Sequence, residues 1–409
     1  MNFPMLSIRR VFKVINGGTP TSDQTNWGGD ILWATPVDFS LKFNPINQTR
    51  RTLTRTGAST GSAITPAGSL LLSTRAPIGY IAITTEAMAF NQGCRALAPQ
   101  IPCDPRFFGY QLEAYAERLQ AEGSGSTFTE LSSDSLASFL VSVPPLEEQH
   151  RIADFLDVET NQIDRLTNLR RQQLHAIEER HEAEYLEVIQ DLDADWVQLR
   201  RLGATAATGP FGTQFSADDY EVDGIPMINT AHIRDGKITP DPRHSVSEET
   251  ANRLSRHQLK SGDIVIARKR HLGRAAAVKS SQAGWLCGTD SIALTVPRER
   301  AHPDFLEHLL RSRYVRSQLL KNSLAATIPN LNEGNLLELE VPHVTLGKQR
   351  EFCTRLTRVD SILADTSTAM IRQLSLLAER RQALITAAVT GQFDVSTASG
   401  RGVTDGVSA

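Results

Sequence analysis

The stretch from Glu147 to Gln190, EEQHRIADFLDVETNQIDRLTNLRRQQLHAIEERHEAEYLEVIQ, decides the fold of this chain. It contains no Gly or Pro and is rich in Leu, Glu, Gln, Ala and Arg, which are strong helix formers. Leu156, Ile163 and Ile177 hold an apolar seam at heptad spacing, although Arg170 interrupts that seam. The pattern therefore predicts one continuous helix about 65 Å long.

A second run without Gly or Pro extends from Lys348 to Thr390, and it predicts a second long helix. Its heptad seam is more regular and consists of Leu356, Leu363, Met370, Leu377 and Leu384. Residues 144–195 carry a net charge of −9, whereas residues 343–409 carry +2. An acidic helix packs more favourably against a neutral or basic one than against its own copy. We therefore expect the two helices to pair with each other as an antiparallel coiled coil.

The segments that precede the two helices repeat each other. Residues 66–73 recur as 260–267, and Gly79 and Gly273 follow them at the same offset of 194 residues. Farther along, Val143-Pro144 parallels Val341-Pro342. Short apolar or β-branched runs bounded by turn residues predict strands, and residues 107–120 and 304–320 each predict a helical patch. One unit of nearly 200 residues has been duplicated.

The fold class expected from these patterns is α+β, with two globular domains joined by two long helices that pair as an antiparallel coiled coil, in a pseudo-two-fold repeat. The second helix is expected to end near Gly391. The predicted boundaries are 1–143 for the first domain, 144–195 for a central helical spacer, 196–342 for the second domain, 343–395 for a C-terminal helical spacer, and 396–409 for a disordered tail.

Composition excludes several classes of protein. The 409 residues are 40% apolar and 22% charged, which is typical of globular proteins. The sequence has no run of about 18 apolar residues, so we expect no membrane span. The N-terminus lacks the pattern of a signal peptide. Cys94, Cys103, Cys287 and Cys353 are far apart, as expected of reduced thiols in the cytoplasm. The net charge of −3 argues against a polyanionic partner only when it is averaged over the chain, because the first domain carries +1 and the second +3.

Catalytic motifs are missing from the sequence. The run from Gly273 to Ser280 has Val278 where a phosphate-binding loop needs its second Gly. Asp219 with Asp235-Gly236-Lys237 resembles the carboxylate–lysine set of a magnesium nuclease, but Asp-Gly-Lys is more typical of a turn. The histidines form no ligand pair at helical spacing. We expect no catalytic residue, no metal site and no bound cofactor in this chain.

Polar and basic residues collect after the repeated strands. The densest cluster comprises Arg268, Lys269, Arg270 and Arg274, and the corresponding turn of the first domain holds Arg75 and Tyr80. Such side chains can grip phosphates or reach base edges, although a solvated basic turn is an open alternative. Asn91 and Gln92 lie in the next loop, and Thr35 and Asn229 end another pair of repeated strands. Together these ten residues are the candidate DNA contacts.

The segment Val143-Pro144-Pro145-Leu146-Glu147-Glu148-Gln149-His150-Arg151-Ile152 resembles the start of the central helix in the DNA-sequence specificity subunit of Type I restriction-modification systems. Its prolines preset a first helical turn, and its acidic pair suits a helix N-terminus. Residues 380–395 are similar to the second helix of that family and its exit. The resemblance covers nearly the whole chain. Residues 341–349 depart from the family pattern, being two residues longer from proline to glutamine and lacking the second proline and the acidic pair.

The resemblance implies that each domain is a target-recognition domain that binds one half of a bipartite DNA site. The helices would be a spacer and a docking platform for two methyltransferase (modification) subunits, with restriction/translocase subunits as further partners. The residues assigned to docking are Glu148, Gln149, Ile152, Gln349 and Phe352. S-adenosylmethionine, ATP and magnesium are then expected on the partner subunits.

Two alternatives stay open at this point. A coiled-coil scaffold that joins proteins without touching DNA would explain the long helices equally well. An enzyme using Asp219, Asp235 and Lys237 would cleave DNA with magnesium. The target bases do not follow from the sequence, because base readout depends on loop geometry.

Overall fold

The computed structural model describes residues 3–123, 130–269, 271–321 and 331–395, with the backbone alone for residues 320 and 321. Two compact units are found. Unit 1 comprises residues 1–171 and those from 372 onward, and unit 2 comprises residues 172–371. This division crosses both long helices, so the boundaries predicted at 143, 195, 342 and 395 stay predictions. The predicted tail, 396–409, lies outside the described residues.

The elements up to residue 190 are short strands and helices followed by one long helix. The strands are β1 (Met5–Ser7), β2 (Phe12–Asn16), β3 (Trp27–Ala34), β4 (Asn44–Ile46), β5 (Arg51–Leu53), β6 (Ala63–Thr65), β7 (Leu70–Ser73), β8 (Ile81–Thr84), β9 (Met88–Phe90), β10 (Cys94–Pro99) and β11 (Leu140–Ser142). The helices are α1 (Arg55–Gly61), α2 (Pro105–Ala114), α3 (Ala116–Ala121), α4 (Ser133–Ser138) and α5 (Leu146–Gln190).

The elements after residue 190 follow a similar order. The strands are β12 (Asp195–Gln198), β13 (Thr205–Thr208), β14 (Ile225–Ile228), β15 (Ile233–Arg234), β16 (Lys237–Ile238), β17 (Ser245–Val246), β18 (Ile264–Ala267), β19 (Ala275–Ala277), β20 (Leu286–Cys287), β21 (Ser291–Thr295) and β22 (Glu340–His343). The helices are α6 (Glu248–Arg253), α7 (Pro303–Arg311), α8 (Arg313–Lys321), α9 (Glu333–Leu337) and α10 (Leu346–Val389).

Each unit contains the same sheet arrangement. In unit 1 the strand order β2-β10-β7-β8 continues to β4, and β5-β3-β9-β6 form a second sheet. In unit 2 the order β13-β21-β18-β19 repeats the first four strands, and β17-β14-β20 form a smaller second sheet. The first strand of each repeat pairs with the strand that precedes the long helix, as β1-β11 and β12-β22. The α+β duplication predicted from sequence is confirmed.

Both predicted long helices are confirmed, and both predicted helical patches are broken into two. Residues 107–120 fall on α2 and α3, and residues 304–320 fall on α7 and α8. The second break lies at Ser312, whose Oγ accepts a hydrogen bond from the Val315 backbone N–H at 3.3 Å. A serine hydroxyl that satisfies a free N–H in this way starts a new helix.

The two long helices run antiparallel within each unit. In unit 2, His181 of α5 lies 2.8 Å from Asp360 of α10, and farther along α5 Asp191 pairs with Arg355 at 3.1 Å. In unit 1, Asp164 lies 3.5 Å from Arg381. Because the partner number falls as the α5 number rises, the helix directions are opposed. The coiled-coil pairing expected from the heptads is confirmed.

Each unit builds its hydrophobic core from its sheet and from both helix segments. In unit 1 the buried phenylalanines Phe12, Phe107 and Phe108 pack with Leu156 of α5 and Ile385 of α10. The unit 2 core has the same plan and includes Phe305, Leu306, Ile189, Phe352 and Leu356. The helices are therefore part of the domain cores, and each domain is fixed to the helix segments of its own unit.

A buried glutamine in the first turn of each long helix makes the same set of contacts. The Gln149 Oε1 accepts the backbone N–H of Asp104 at 2.9 Å, and its Nε2 donates to the Pro144 carbonyl at 2.8 Å. The Gln349 Oε1 accepts the backbone N–H of His302 at 2.7 Å, and its Nε2 donates to Val344 at 2.9 Å. Each glutamine thus joins the start of its helix to the loop before α2 or α7.

These contacts correct one detail of the sequence alignment. Val141 pairs with Leu6 and Val341 pairs with Val197, and both valines are fully buried. Val341 therefore corresponds to Val141, and the match of Val143-Pro144 to Val341-Pro342 was wrong by two residues. The two helices begin with the same backbone hydrogen bond. The Gln149 N–H donates to the Pro145 carbonyl, and the Gln349 N–H donates to the Thr345 carbonyl. The departure from the family pattern changes the residues but not the way the helix begins.

The change Gln149→Ala should destabilise unit 1 by about 2–4 kcal/mol, because it leaves a buried N–H and a buried carbonyl without partners. Urea unfolding of the full chain, followed by circular dichroism, measures this loss. Gln162→Ala is the matched control, because Gln162 lies on the same helix and is exposed. Equal stability of the two variants would show that the glutamine contacts do not hold the domain to the helix.

Candidate nucleic-acid interface

Four loops of each unit meet at one edge of the sheets, which we call the loop edge. In unit 2 it consists of residues 209–212, 229–232, 268–269 and 288–290. Backbone hydrogen bonds join the last three loops: the Gly288 N–H bonds to the Ile228 carbonyl and the Arg268 N–H to the Asp290 carbonyl, both at 2.9 Å. In unit 1 the corresponding loops are 17–20, 35–38, 74–76 and 91–93, and the bonds from Asn91 to Ala34 and from Thr74 to Gly93 match those of unit 2.

A glycine at the end of the first sheet strand allows the loops to approach. A Cβ at Gly17 would overlap the Asn91 carbonyl oxygen, and a Cβ at Gly209 would overlap the Gly288 carbonyl oxygen. The two collisions are equivalent, because Asn91 and Gly288 occupy the same place in the repeat. A larger residue would push the loops apart. The loop edge therefore has one backbone frame that is used twice.

Thr35 and Asn229 occupy the same turn after β3 and β14, but their turns are closed by different groups. The Thr35 N–H and hydroxyl donate to Asp38 Oδ2 at 2.8 and 2.7 Å. The Asn229 N–H donates to His232 Nδ1 at 3.1 Å. Burial lowers the pKa of His232, which favours the neutral ring that accepts this bond. The Asn229 Nδ2 also donates to the Tyr220 hydroxyl at 3.1 Å, so its side chain is held in place.

Arg75 and Lys269 are equivalent cations at the loop edge, and both keep much of their side chain in solvent. The Arg75 Nε lies 3.1 Å from Glu130, and the Lys269 Nζ lies 3.0 Å from Asp290. Exposed ion pairs of this kind contribute little to stability. A phosphate could therefore replace the carboxylate at small cost, which suits both residues to DNA contact.

The other predicted residues of unit 1 are only partly free to read bases. Asn91 Oδ1 accepts the Gly93 N–H at 3.1 Å, so that side chain shapes its own turn. The exposed Gln92 is hydrogen-bonded to the Thr19 hydroxyl and presents a polar side chain at the loop edge. Tyr80 is half-buried, and its backbone N–H donates to Ser73 Oγ at 2.9 Å.

The basic cluster of unit 2 does not act as one patch. The Arg268 Nε donates to the Leu331 carbonyl at 3.2 Å, which ties the turn to the segment before α9. Arg274 lines a cavity of about 190 Å³ together with His181, Arg311 and Asp360, on the side of the long helices. Arg270 lies outside the described residues. DNA contact by these residues stays a prediction, and Lys269 is the member that the geometry suits best.

The residues assigned to partner docking are mostly buried within their own unit. Gln149 and Gln349 make the contacts described above, while Ile152 and Phe352 belong to the two cores and are 1% and 2% exposed. Only Glu148, which is half-buried and pairs with Arg151 at 2.8 Å, reaches the surface. Docking through this set stays a prediction, and the four buried side chains hold each helix to its own domain.

The nuclease-like set is a turn, as the sequence favoured. Asp235 and Gly236 both have positive φ angles, of 49° and 71°, and they join the hairpin strands β15 and β16. Two positive φ angles are what a two-residue hairpin turn requires. Asp219 is engaged elsewhere, with Arg253 at 2.6 Å.

One potential metal-ligand group was missed by the sequence search, because its members are not at helical spacing. His232, Asp241 and His244 bring ligand atoms within 4.8 Å of one another, in the described part of the chain. However, His232 Nδ1 already accepts the Asn229 N–H, and Asp241 Oδ2 accepts from Arg243 Nη2 at 2.7 Å. We interpret the group as a hydrogen-bonded support for the turn that carries Asn229.

The described chain thus consists of two repeated α+β domains, each with one polar loop edge and each fixed to antiparallel helix segments. The chain matches the family model of the Type I restriction modification DNA specificity domain over residues 2–178 and 208–375, and it belongs to this family. Along the described residues no helix combines the length and the apolar character needed to cross a membrane.

Two specificity subunits are similar in sequence to this chain. The chain is 34% identical over 154 residues to the Type I restriction enzyme MjaIX specificity subunit of Methanocaldococcus jannaschii, covering 36% of each protein. It is 25% identical over 323 residues to the EcoBI specificity subunit of Escherichia coli, covering 70% of this chain and 66% of that protein. The alignments thus span about a third of the first relative and just under two thirds of the second.

Solved structures share the fold. A chain from a type I R-M system, described for its complex assembly and conformational transition, superposes with a TM-score of 0.75 at 18% identity, covering 96% of this chain and 98% of that one. The HsdS subunit from Thermoanaerobacter tengcongensis gives a TM-score of 0.51 at 17% identity, covering 96% and 97%.

The cluster beside Arg274 predicts a pH effect on stability. Burial raises the pKa of Glu307 to about 7, although Arg311, 3.0 Å away, opposes the rise. A carboxyl whose folded pKa exceeds its unfolded value binds more protons when folded, so its contribution to stability decreases as the pH rises from about 5 to about 7. Glu307→Gln should flatten this part of the profile of melting temperature against pH.

Glu338→Gln is the control for this prediction, because Glu338 is an exposed residue of the same unit. It should leave the profile of the native chain unchanged. A Glu307→Gln variant that keeps the native slope between pH 5 and 7 would contradict the assignment of that slope to Glu307.

Proposed function

We propose that this chain is the non-catalytic, sequence-specific DNA-binding subunit of a Type I restriction-modification complex. In this proposal each unit reads one half of a bipartite site with its loop edge. The supporting observation is that equivalent positions of the loop edge carry different polar side chains, namely Thr35 and Asn229 in one pair and Arg75 and Lys269 in the other. Two domains that share one backbone conformation but expose different side chains are suited to bind two different DNA sequences.

The proposal includes two methyltransferase subunits docked on the long helices, with restriction/translocase subunits as further partners. Exposed apolar side chains on the helices support such docking, among them Val158, Leu166 and Leu169 in unit 1 and Ile362 in unit 2. S-adenosylmethionine, ATP and magnesium would belong to those partners. The four free cysteines suit a cytoplasmic location, which is part of the same proposal.

Methylome sequencing of cells with and without the gene tests the proposal. One bipartite adenine-methylation motif should disappear on deletion and return when the gene is restored. If every motif survives deletion, the chain does not direct methylation. A gel shift of the chain with its co-purified methyltransferase then separates DNA recognition from a scaffold that joins proteins without contacting DNA.

Arg75→Gln and Lys269→Gln should each weaken DNA binding at all sequences and reduce the steepness of its salt dependence. Each neutralised phosphate contact contributes about 0.9 to the slope of log affinity against log salt concentration, so each variant should lose about one unit. Fluorescence anisotropy at several salt concentrations measures the slope. The matched control is Arg180→Gln, because Arg180 is an exposed arginine on α5 that also pairs with a carboxylate, that of Glu184.

An unchanged slope in Arg75→Gln and Lys269→Gln would remove these two residues from the interface. A slope reduced equally in Arg180→Gln would mean that the helix, rather than the loop edge, meets the phosphates.

A further inference from the structure

Phe211 is an aromatic side chain that the fold leaves in solvent. It is 64% exposed, more than any other aromatic residue in the described part of the chain. Burying a phenylalanine side chain stabilises a protein, and most of that stabilisation is absent here. A single exposed apolar residue is ordinary on a surface, but Phe211 is also held by a constrained backbone and lies beside ordered polar groups.

The backbone presents Phe211 in a fixed position. Gly209, two residues earlier, is locked against Gly288 by the close approach described above. Pro210 restricts the next step of the chain. Phe211 itself is extended, with φ −146° and ψ 165°, and a short 3₁₀ turn at Gly212–Gln214 follows it directly. The ring is therefore displayed on a short, constrained loop of the loop edge.

Polar groups of unit 2 line a cavity together with the ring. Phe211 and Arg268 line a cavity of about 490 Å³ with Thr208, Asn332 and Glu333. Glu333 Oε1 accepts the Thr208 N–H at 2.7 Å, and the Asn332 Oδ1 accepts the Asn335 N–H at 2.8 Å, so the wall of the cavity is itself ordered. One apolar ring among ordered polar groups suits the edge of a base pair, which offers both kinds of contact.

Unit 1 has a polar residue at the corresponding place. The pairing of β2 with β10 and of β13 with β21 matches Asn16 to Thr208 and Gly17 to Gly209, which makes Thr19 the counterpart of Phe211. The Thr19 hydroxyl is hydrogen-bonded to the Gln92 side chain. The two loop edges thus differ in kind at this position, with an apolar group in one and an amide–hydroxyl pair in the other.

We propose that Phe211 is a specificity-determining residue that packs against the 5-methyl group of a thymine in the half-site met by unit 2. The proposal rests on the proposed function, because it requires the loop edge to face DNA. The thymine methyl is the one apolar feature of the major-groove edges, and side chains such as Phe contact it. Phe211 then favours thymine over cytosine at one position, while Arg268 and Asn332 lie beside the same base pair.

The test uses the full chain with its co-purified methyltransferase subunits. Selection from a duplex library with randomised positions first gives the motif bound by the native chain. Each thymine of the motif is then replaced singly by deoxyuridine, which removes only the methyl group. Affinity should fall about fourfold at one position, as expected for the loss of one buried methyl. Phe211→Ala should bind thymine and uracil equally there, and Phe211→Leu should keep part of the difference.

Val222→Ala is the matched control, because Val222 is an equally exposed apolar residue of unit 2. It should keep the native motif and the native preference for thymine. The proposal is overturned if the native chain binds every thymine-to-uracil duplex equally well, as a ring wedged between base pairs would, or if Phe211→Ala keeps the native preference. Failure of the native chain to select any motif would instead overturn the proposed function itself.

Discussion

The hydrogen bonds of Gln149 and Gln349 are the constraint on which the rest of the structure depends. Each side chain satisfies a backbone N–H of the domain and a carbonyl at the start of its own long helix. An amide is suited to this place because it donates and accepts at once. Because both side chains are buried, solvent does not compete for these bonds, so the helix and domain keep one register. The orientation of each loop edge relative to its helix segments follows from that register.

A fixed frame allows the exposed residues to change. The glycines at 17 and 209 are required by a backbone approach, and the hydrogen bonds between loops are made by main-chain atoms, so neither depends on the side chains that face solvent. The turn after β3 is closed by Asp38 and its counterpart after β14 by His232. Different groups thus perform the same local task. Duplication followed by change at the surface produces two domains with different exposed groups and the same fold.

The long helices could be predicted because runs without Gly or Pro are a local signal in the sequence. The duplication could be predicted because the matching segments share one offset. The roles of single residues could not, because those depend on distant partners. Ile152 and Phe352 lie on helices predicted to be surface platforms, yet the domains cover them. Arg268 sits in a basic run, yet its Nε is used by the Leu331 carbonyl. No sequence motif marks Phe211, because its exposure to solvent depends on the conformation of the folded loop.

The acidity of α5 has a structural use that the net charge hides. Arg106 of the first domain lies 2.8 Å from Asp154 and 2.7 Å from Asp157, and Lys42 pairs with Asp164. Part of the −9 of the central spacer is therefore balanced by cations of its own domain. Those cations already pair with carboxylates of α5, so the first domain has fewer positive charges available to a polyanion than it contains. In the proposed function, phosphate attraction by this domain alone is then weak, and recognition depends more on the side chains of the loop edge and on partner subunits.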